Sequence, residues 1–125
     1  IKEAATYGLV VVALNSDLWL KAKKGRPFMD WNERAEILCA LRQVSQVIPV
    51  DDSDGTVCEA LRALHPAYFA NGGDRKQANP LEHEICRRLK IVELFNIGGG
   101  KVQSSSRLIG GGRCAESEKS TNYLI

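Results

Sequence analysis

The order of elements legible in this 125-residue chain predicts an α/β fold, with a parallel sheet sandwiched between helices on both faces. Three observations carry that expectation. Leu9-Val-Val-Val-Ala-Leu14 is an unbroken apolar run rich in β-branched residues, the pattern of a strand buried on both faces. Short apolar segments recur at 47–50, 67–70 and 91–97. Stretches of helical periodicity stand between them, and strand–helix–strand order of this kind implies right-handed crossovers.

Taken in order, residues 1–7 read as the end of a helix, with Gly8 at the following position, where a positive φ is wanted. Asn15-Ser16-Asp17 ends the first strand. Residues 18–27 are expected to hold a short turn of helix and then the basic loop Lys21-Ala-Lys-Lys-Gly-Arg-Pro27. Asp30-Trp-Asn-Glu33 opens the next helix, an N-cap acid with Glu33 in capping-box position. Trp31, Leu38 and Leu41 recur at helical spacing, with Ala35, Ile37 and Val44 joining them, and carry it to about Gln43. The strand at 47–50 contains Pro49, which suits a sheet edge. A turn at 51–54 and a helix at 56–64, ended by His65-Pro66, lead to the strand at 67–70. That strand runs into Asn71-Gly-Gly-Asp74. Pro80 suits the first turn of a helix over 80–89, and 91–97 is the last strand. Gly98-Gly-Gly100 leads to Lys101-Val-Gln-Ser-Ser-Ser106, where a short helix is expected to begin. Residues 1–109 form the domain, and 110–125, rich in Gly, Ser and charge, form a loosely held tail.

Composition excludes several functions. Seventeen Lys and Arg against fifteen Asp and Glu leave +2, too mild a balance for a nucleic-acid arm or a membrane-surface patch. The longest apolar run is far short of the roughly 20 residues that span a bilayer. No basic segment followed by a long apolar stretch opens the chain, so no secretory signal is visible. Cys39, Cys58, Cys86 and Cys114 form no C-x-x-C pair, and free thiols in a cytoplasmic protein are expected. With only His65 and His83 beside them, a zinc cluster has too few ligands.

In an open parallel sheet, ligands bind outside the carboxyl ends of the strands. The loops leaving those ends, 15–26, 71–76 and 98–106, carry Gly, Ser, Lys and Asp, residues suited to handling phosphate. Cations at 21–26 could neutralise a polyphosphate, or form a solvated basic turn. Ser104, Ser105 and Ser106 at a helix start could bind an anion, or simply cap that helix. Gly72 and Gly73 beside Asp74 allow close approach of a ligand, or make a tight turn. Neither a Walker loop nor a dinucleotide G-x-G-x-x-G is present. Trp19 and Trp31 read as core or groove aromatics, and neither histidine is placed for catalysis.

As a series, residues 9–17, Lys23-Lys-Gly-Arg-Pro-Phe-Met29, Asn32-Glu-Arg-Ala-Glu-Ile-Leu38, Leu41-Arg-Gln-Val44, 47–51 and 71–74 resemble the cytidylyltransferase-like nucleotidyltransferases. The pattern is nearest to glycerol-3-phosphate cytidylyltransferases and heptose-phosphate adenylyltransferase domains, over residues 1–109. Gln103-Ser-Ser-Ser106 resembles the late phosphate-contacting motif of that family. The resemblance implies a Rossmann-like three-layer α/β/α fold. It implies transfer of a nucleoside monophosphate from CTP, or ATP, to a small phosphorylated alcohol or sugar, with release of pyrophosphate. Mg²⁺ would arrive with the nucleotide. Lys23 and Arg42 are the implied catalytic residues, with Arg34 at the rim of the site. Asn15, Asp17, Gly72, Gly73, Asp74, Ser104, Ser105 and Ser106 are the implied nucleotide contacts. A homodimer binding no nucleic acid and no membrane is implied as well.

The family also places a first strand and an H-x-G-H signature ahead of the helix in which this sequence opens. The strands at 9–14 and 67–70 are therefore expected to lack the partner between them, and the chain as it stands to be weak or inactive. The family's late arginine is replaced too, with Gly99 at its place. A non-catalytic nucleotide-binding or association module of the same fold is the alternative, and a flavodoxin-like signalling domain is a third.

Overall fold

The computed structural model describes residues 1–72, 75 and 77–100. Expectations falling on 101–125, including the late serine helix and the tail, lie outside the described residues. A short 3-10 turn at Ala4–Thr6 is followed by strand β1, Val10–Leu14, and helix α1, Asp17–Lys24. Helix α2, Trp31–Cys39, precedes β2, Val44–Pro49, and α3, Cys58–Leu64, precedes β3, Tyr68–Gly72. Helix α4, Pro80–Leu89, and β4, Val92–Ile97, complete the order. The alternation and the parallel pairing are those expected, so the chain is a Rossmann-like α/β protein.

The strands divide their side chains between two cores. Val10 and Val12 of β1, Ala70 of β3 and Ile97 pack on Ala4 and on Leu38 of α2. Ala13 and Phe69 face the other way, onto Ala60, Leu61 and Cys86 of α3 and α4. Period-two alternation with both faces covered is what a continuous apolar run such as 9–14 requires. The helices thereby make the outer layers.

The sheet comes in two halves. β1 pairs in parallel with β2, Val12 opposite Val47, and β3 pairs in parallel with β4, Phe69 opposite Glu93. Among the described residues β1 and β3 each have a single ladder partner, as expected for strands that lack one between them. Both border a cavity of about 270 Å³ whose lining includes Val11, Ala13, Ala67 and Ala70. Tyr7 and Tyr68 also line it, their rings 5.4 Å apart and tilted by 55°.

Several boundaries differ from expectation, and three of them have a physical reason that bears on the site. The basic loop at 21–27 is largely helix: α1 runs through Lys24. Ser16 caps it by accepting from the Trp19 amide, Asp17 occupies the first turn, and Lys21, Lys23 and Lys24 oppose the negative dipole end. Gly25, at φ +83°, stops it. Helix α2 ends at Cys39 and not near Gln43, because Val44 is already paired with Val10 and β2 claims the residues before Val47. Arg42 therefore lies in the turn ahead of β2 and not on the helix face. β3 extends past Ala70 to Gly72, which pairs with Ile97 across an irregularity in register.

The capping box at the start of α2 forms as read. Glu33 N–H donates to Asp30 Oδ1 at 2.9 Å, and Asp30 N–H donates to Glu33 Oε2 at 3.2 Å. Replacing Asp30 by Ala is expected to lower unfolding free energy by about 1 kcal/mol. Urea denaturation should show that as a reduced midpoint with an unchanged slope.

Candidate functional site

At the carboxyl ends of β1 and β2 the chain builds a hydrogen-bonded platform around one buried acid. Asp52, in the segment after β2, is only 6% exposed. Its Oδ2 accepts from Asn15 Nδ2 at 3.0 Å and from the Ser16 N–H at 2.8 Å, and its Oδ1 accepts from Ser16 Oγ at 2.7 Å. Ser16 Oγ in turn accepts the Trp19 N–H at 3.1 Å, so the carboxylate sets where α1 begins. Asp17 ties α2 to the same place, accepting from the Trp31 N–H at 3.0 Å and from Arg34 Nη2. Arg34 Nη2 also donates to the Asn15 carbonyl at 3.0 Å, and Trp31 Nε1 to the Leu14 carbonyl at 3.2 Å.

Helix α1 leaves this platform carrying three lysines in its last turn. Lys23 is exposed, its Nζ lying 4.4 Å from the centre of the Trp19 ring. A cation over an indole face gains roughly 0.5–1 kcal/mol at an exposed site. Chemically the corner can attract phosphate to a fixed basic helix.

A second polar cluster stands at the carboxyl end of β3. Glu82 of α4 is 1% exposed, and burial pushes its carboxyl above the usual range, against the pull of Arg75. Arg75 Nη2 donates to Glu82 Oε2 at 2.7 Å, and Nη1 donates to Asn71 Oδ1 at 2.8 Å. The Arg75 N–H closes on the Gly72 carbonyl at 3.1 Å. Beneath α4, burial drives the Cys86 thiol up to about 12, so it stays protonated and inert.

The structure thus sets Asn15, Asp17 and Lys23 around one strand end and Gly72 at another. The side-chain amide of Asn15 and both carboxylate oxygens of Asp17 are engaged within the platform, so these two residues shape it rather than face outward. Arg42 is not brought there. It sits at the amino end of β2, a strand of six residues or roughly 20 Å, while Asp52 follows its carboxyl end. A catalytic role for Arg42 does not follow from this geometry. Gly73, Asp74, Ser104, Ser105 and Ser106 lie outside the described residues. His65 ends α3 and His83 pairs through Nδ1 with Glu93, so neither reaches these corners.

Neither Asp52 nor Glu82 stands out in the sequence, and Arg75 is visible there only as the cation beside Asn71-Gly-Gly-Asp74. An acid in a turn or in the first turn of a helix is ordinarily a solvated residue, and nothing local marks these as buried. Ser16 had a usable signal, a hydroxyl three residues before an amide it could cap. Among the described residues no three His, Cys, Asp or Glu side chains group as metal ligands. Among them, too, no helix is long and apolar enough to cross a membrane.

Comparison with known proteins gives one consistent family. Residues 1–103 match the family model described as cytidylyltransferase-like. The bifunctional protein HldE of Pelobacter propionicus is 39% identical over 105 residues, 81% of this chain and 21% of that protein. HldE of Geobacter sulfurreducens is 36% identical over 106 residues, 82% of this chain and 19% of its own length. HldE of Aliarcobacter butzleri is 30% identical over 99 residues, 77% of the chain and 20% of the relative. The chain spans about a fifth of the length of these curated relatives.

The raised Glu82 carboxyl has a signed consequence. Its folded pKa lies above its unfolded value of 4.5, so the folded state holds the proton longer. The contribution to stability is complete below pH 4.5 and is lost as pH rises through the folded value. Across that window the native chain should lose stability relative to Glu82→Gln, read as diverging urea midpoints at successive pH values.

Proposed function

The chain belongs to the cytidylyltransferase-like family, and from that premise we propose that it serves nucleotidyl transfer. A phosphate oxygen of a small phosphorylated alcohol or sugar attacks the α-phosphorus of CTP or ATP in line. The new P–O bond joins the two phosphates, the bond to the β-phosphate bridge breaks, and pyrophosphate leaves with its electron pair. Mg²⁺ comes with the nucleotide, held by phosphates and water. Both oxygens of Asp52 are already committed to Asn15 and Ser16, so that acid is not offered as a ligand.

One observation carries the reading: the basic helix α1 starts directly from the carboxyl end of β1, anchored there by a buried carboxylate. That end of an open parallel sheet is where ligands bind. In this reading Lys23 meets the β- and γ-phosphates as charge develops on the leaving group. Ser104, Ser105 and Ser106 serve the same phosphates, and Gly72, Gly73 and Asp74 hold the base, as the family resemblance implies. No covalent intermediate is required, because orientation and charge neutralisation supply the rate.

A second reading, nucleotide binding without turnover, is favoured for the chain by itself by the open slot between β1 and β3. The two separate in one experiment. Pyrophosphate release is measured on a chain extended upstream of Ile1 by a strand ending in His-x-Gly-His, with CTP or ATP and a phosphorylated acceptor. Nucleotide-dependent release is expected, falling about 100-fold in Lys23→Ala. Binding of either triphosphate by calorimetry, with no release from the extended chain, would instead support the binding module. Neither binding nor release would defeat both.

A further inference from the structure

A carboxylate as deeply buried as that of Glu82 is tolerated only when other groups meet both oxygens. Here they come from separate elements. Oε2 takes Arg75 Nη2 at 2.7 Å, and Oε1 takes the Val57 N–H, at the start of α3, at 3.3 Å. Arg75 has a second hold on the end of β3 through Asn71 Oδ1 and a third through the Gly72 carbonyl. Because arginine only donates, the oxygen of the Asn71 amide must face it. The Asn71 nitrogen is thereby turned away, buried and without a partner among the described residues.

Stability alone does not call for such an arrangement. Apolar replacement of a buried ion pair is often neutral or stabilising, and an orphan buried amide is a cost. What apolar side chains cannot do is orient. A planar guanidinium engaged at both ends has a single setting, and the backbone N–H of the same residue is bonded to the last residue of β3, Gly72.

We propose that Arg75, gripped by Glu82 and Asn71, is a positioning residue that fixes the end of β3, at Asn71 and Gly72, against α4. What that strand end holds, the nucleotide base, rests on the nucleotidyltransferase reading. The fastening itself does not.

The test uses Arg75→Leu combined with Glu82→Gln, which removes both charges but keeps an acceptor for Val57. The urea midpoint should match or exceed that of the native chain. Hydrogen exchange at the position 75 amide should accelerate about tenfold or more, while the Ile91 amide, bonded to the Cys86 carbonyl, stays within about threefold. Unchanged exchange at position 75, or a rise only in step with Ile91, would overturn the proposal. In the extended, active chain, Arg75→Lys should raise the KM for nucleotide about tenfold with kcat within about twofold, since it keeps the charge and loses the fork. An unaltered KM alongside accelerated exchange would overturn the link to the ligand. If the native extended chain releases no pyrophosphate, the nucleotidyltransferase reading fails and the exchange result alone decides the positioning role.

Discussion

Much of this molecule depends on one carboxylate. Asp52 is the point at which the end of β1 and the segment after β2 are joined, through Asn15 and both polar groups of Ser16. Hydrogen bonds to a charged group contribute roughly 1.5–3 kcal/mol each, about twice a neutral one. Their larger effect here is directional. By holding Ser16 in its capping geometry, Asp52 decides where α1 starts and so where Lys23 is carried. Asp17, the next residue, fastens α2 from the same spot.

The two halves of the molecule use the same device with different parts. On the β1–β2 side a buried acid receives an amide, a hydroxyl and a backbone N–H. On the β3–β4 side Glu82 receives a guanidinium and a backbone N–H. In each half the acid lies within the hydrogen-bonded corner at the carboxyl end of a strand. Apolar burial holds the layers together but is non-directional. The polar contacts supply direction. Between the halves the Gly98 N–H donates to Glu3 Oε2 at 2.8 Å, and among the described residues β1 and β3 face a common cavity without pairing to each other.

Most of the element order was legible because it rests on local chemistry. The capping box of Asp30 and Glu33, Pro80 at the start of α4 and the apolar run of β1 all appear where the residues place them. Where the reading slipped, a competing signal prevailed. Lys21, Lys23 and Lys24 suggested a loop by their charge, yet a capped first turn and a helix dipole make three clustered cations acceptable in a last turn. Gln43 fell outside α2 because pairing of Val44 with Val10 outweighs one further turn of helix. Arg42 left the helix with it, and lies in the turn at the amino end of β2.

The sequence by itself determined the alternation of strand and helix, the burial of β1 on both faces and the family to which the motifs point, since periodicity, caps and short motifs are properties of neighbouring residues. Only the tertiary structure decided which polar side chains go inside. Asp52 meets a serine 36 positions away, and Glu82 meets an amide 25 positions away. A buried carboxylate needs a partner on each oxygen, and although Arg75 stands only seven positions before Glu82, the rest of each set arrives from a distant segment that no short window of sequence contains.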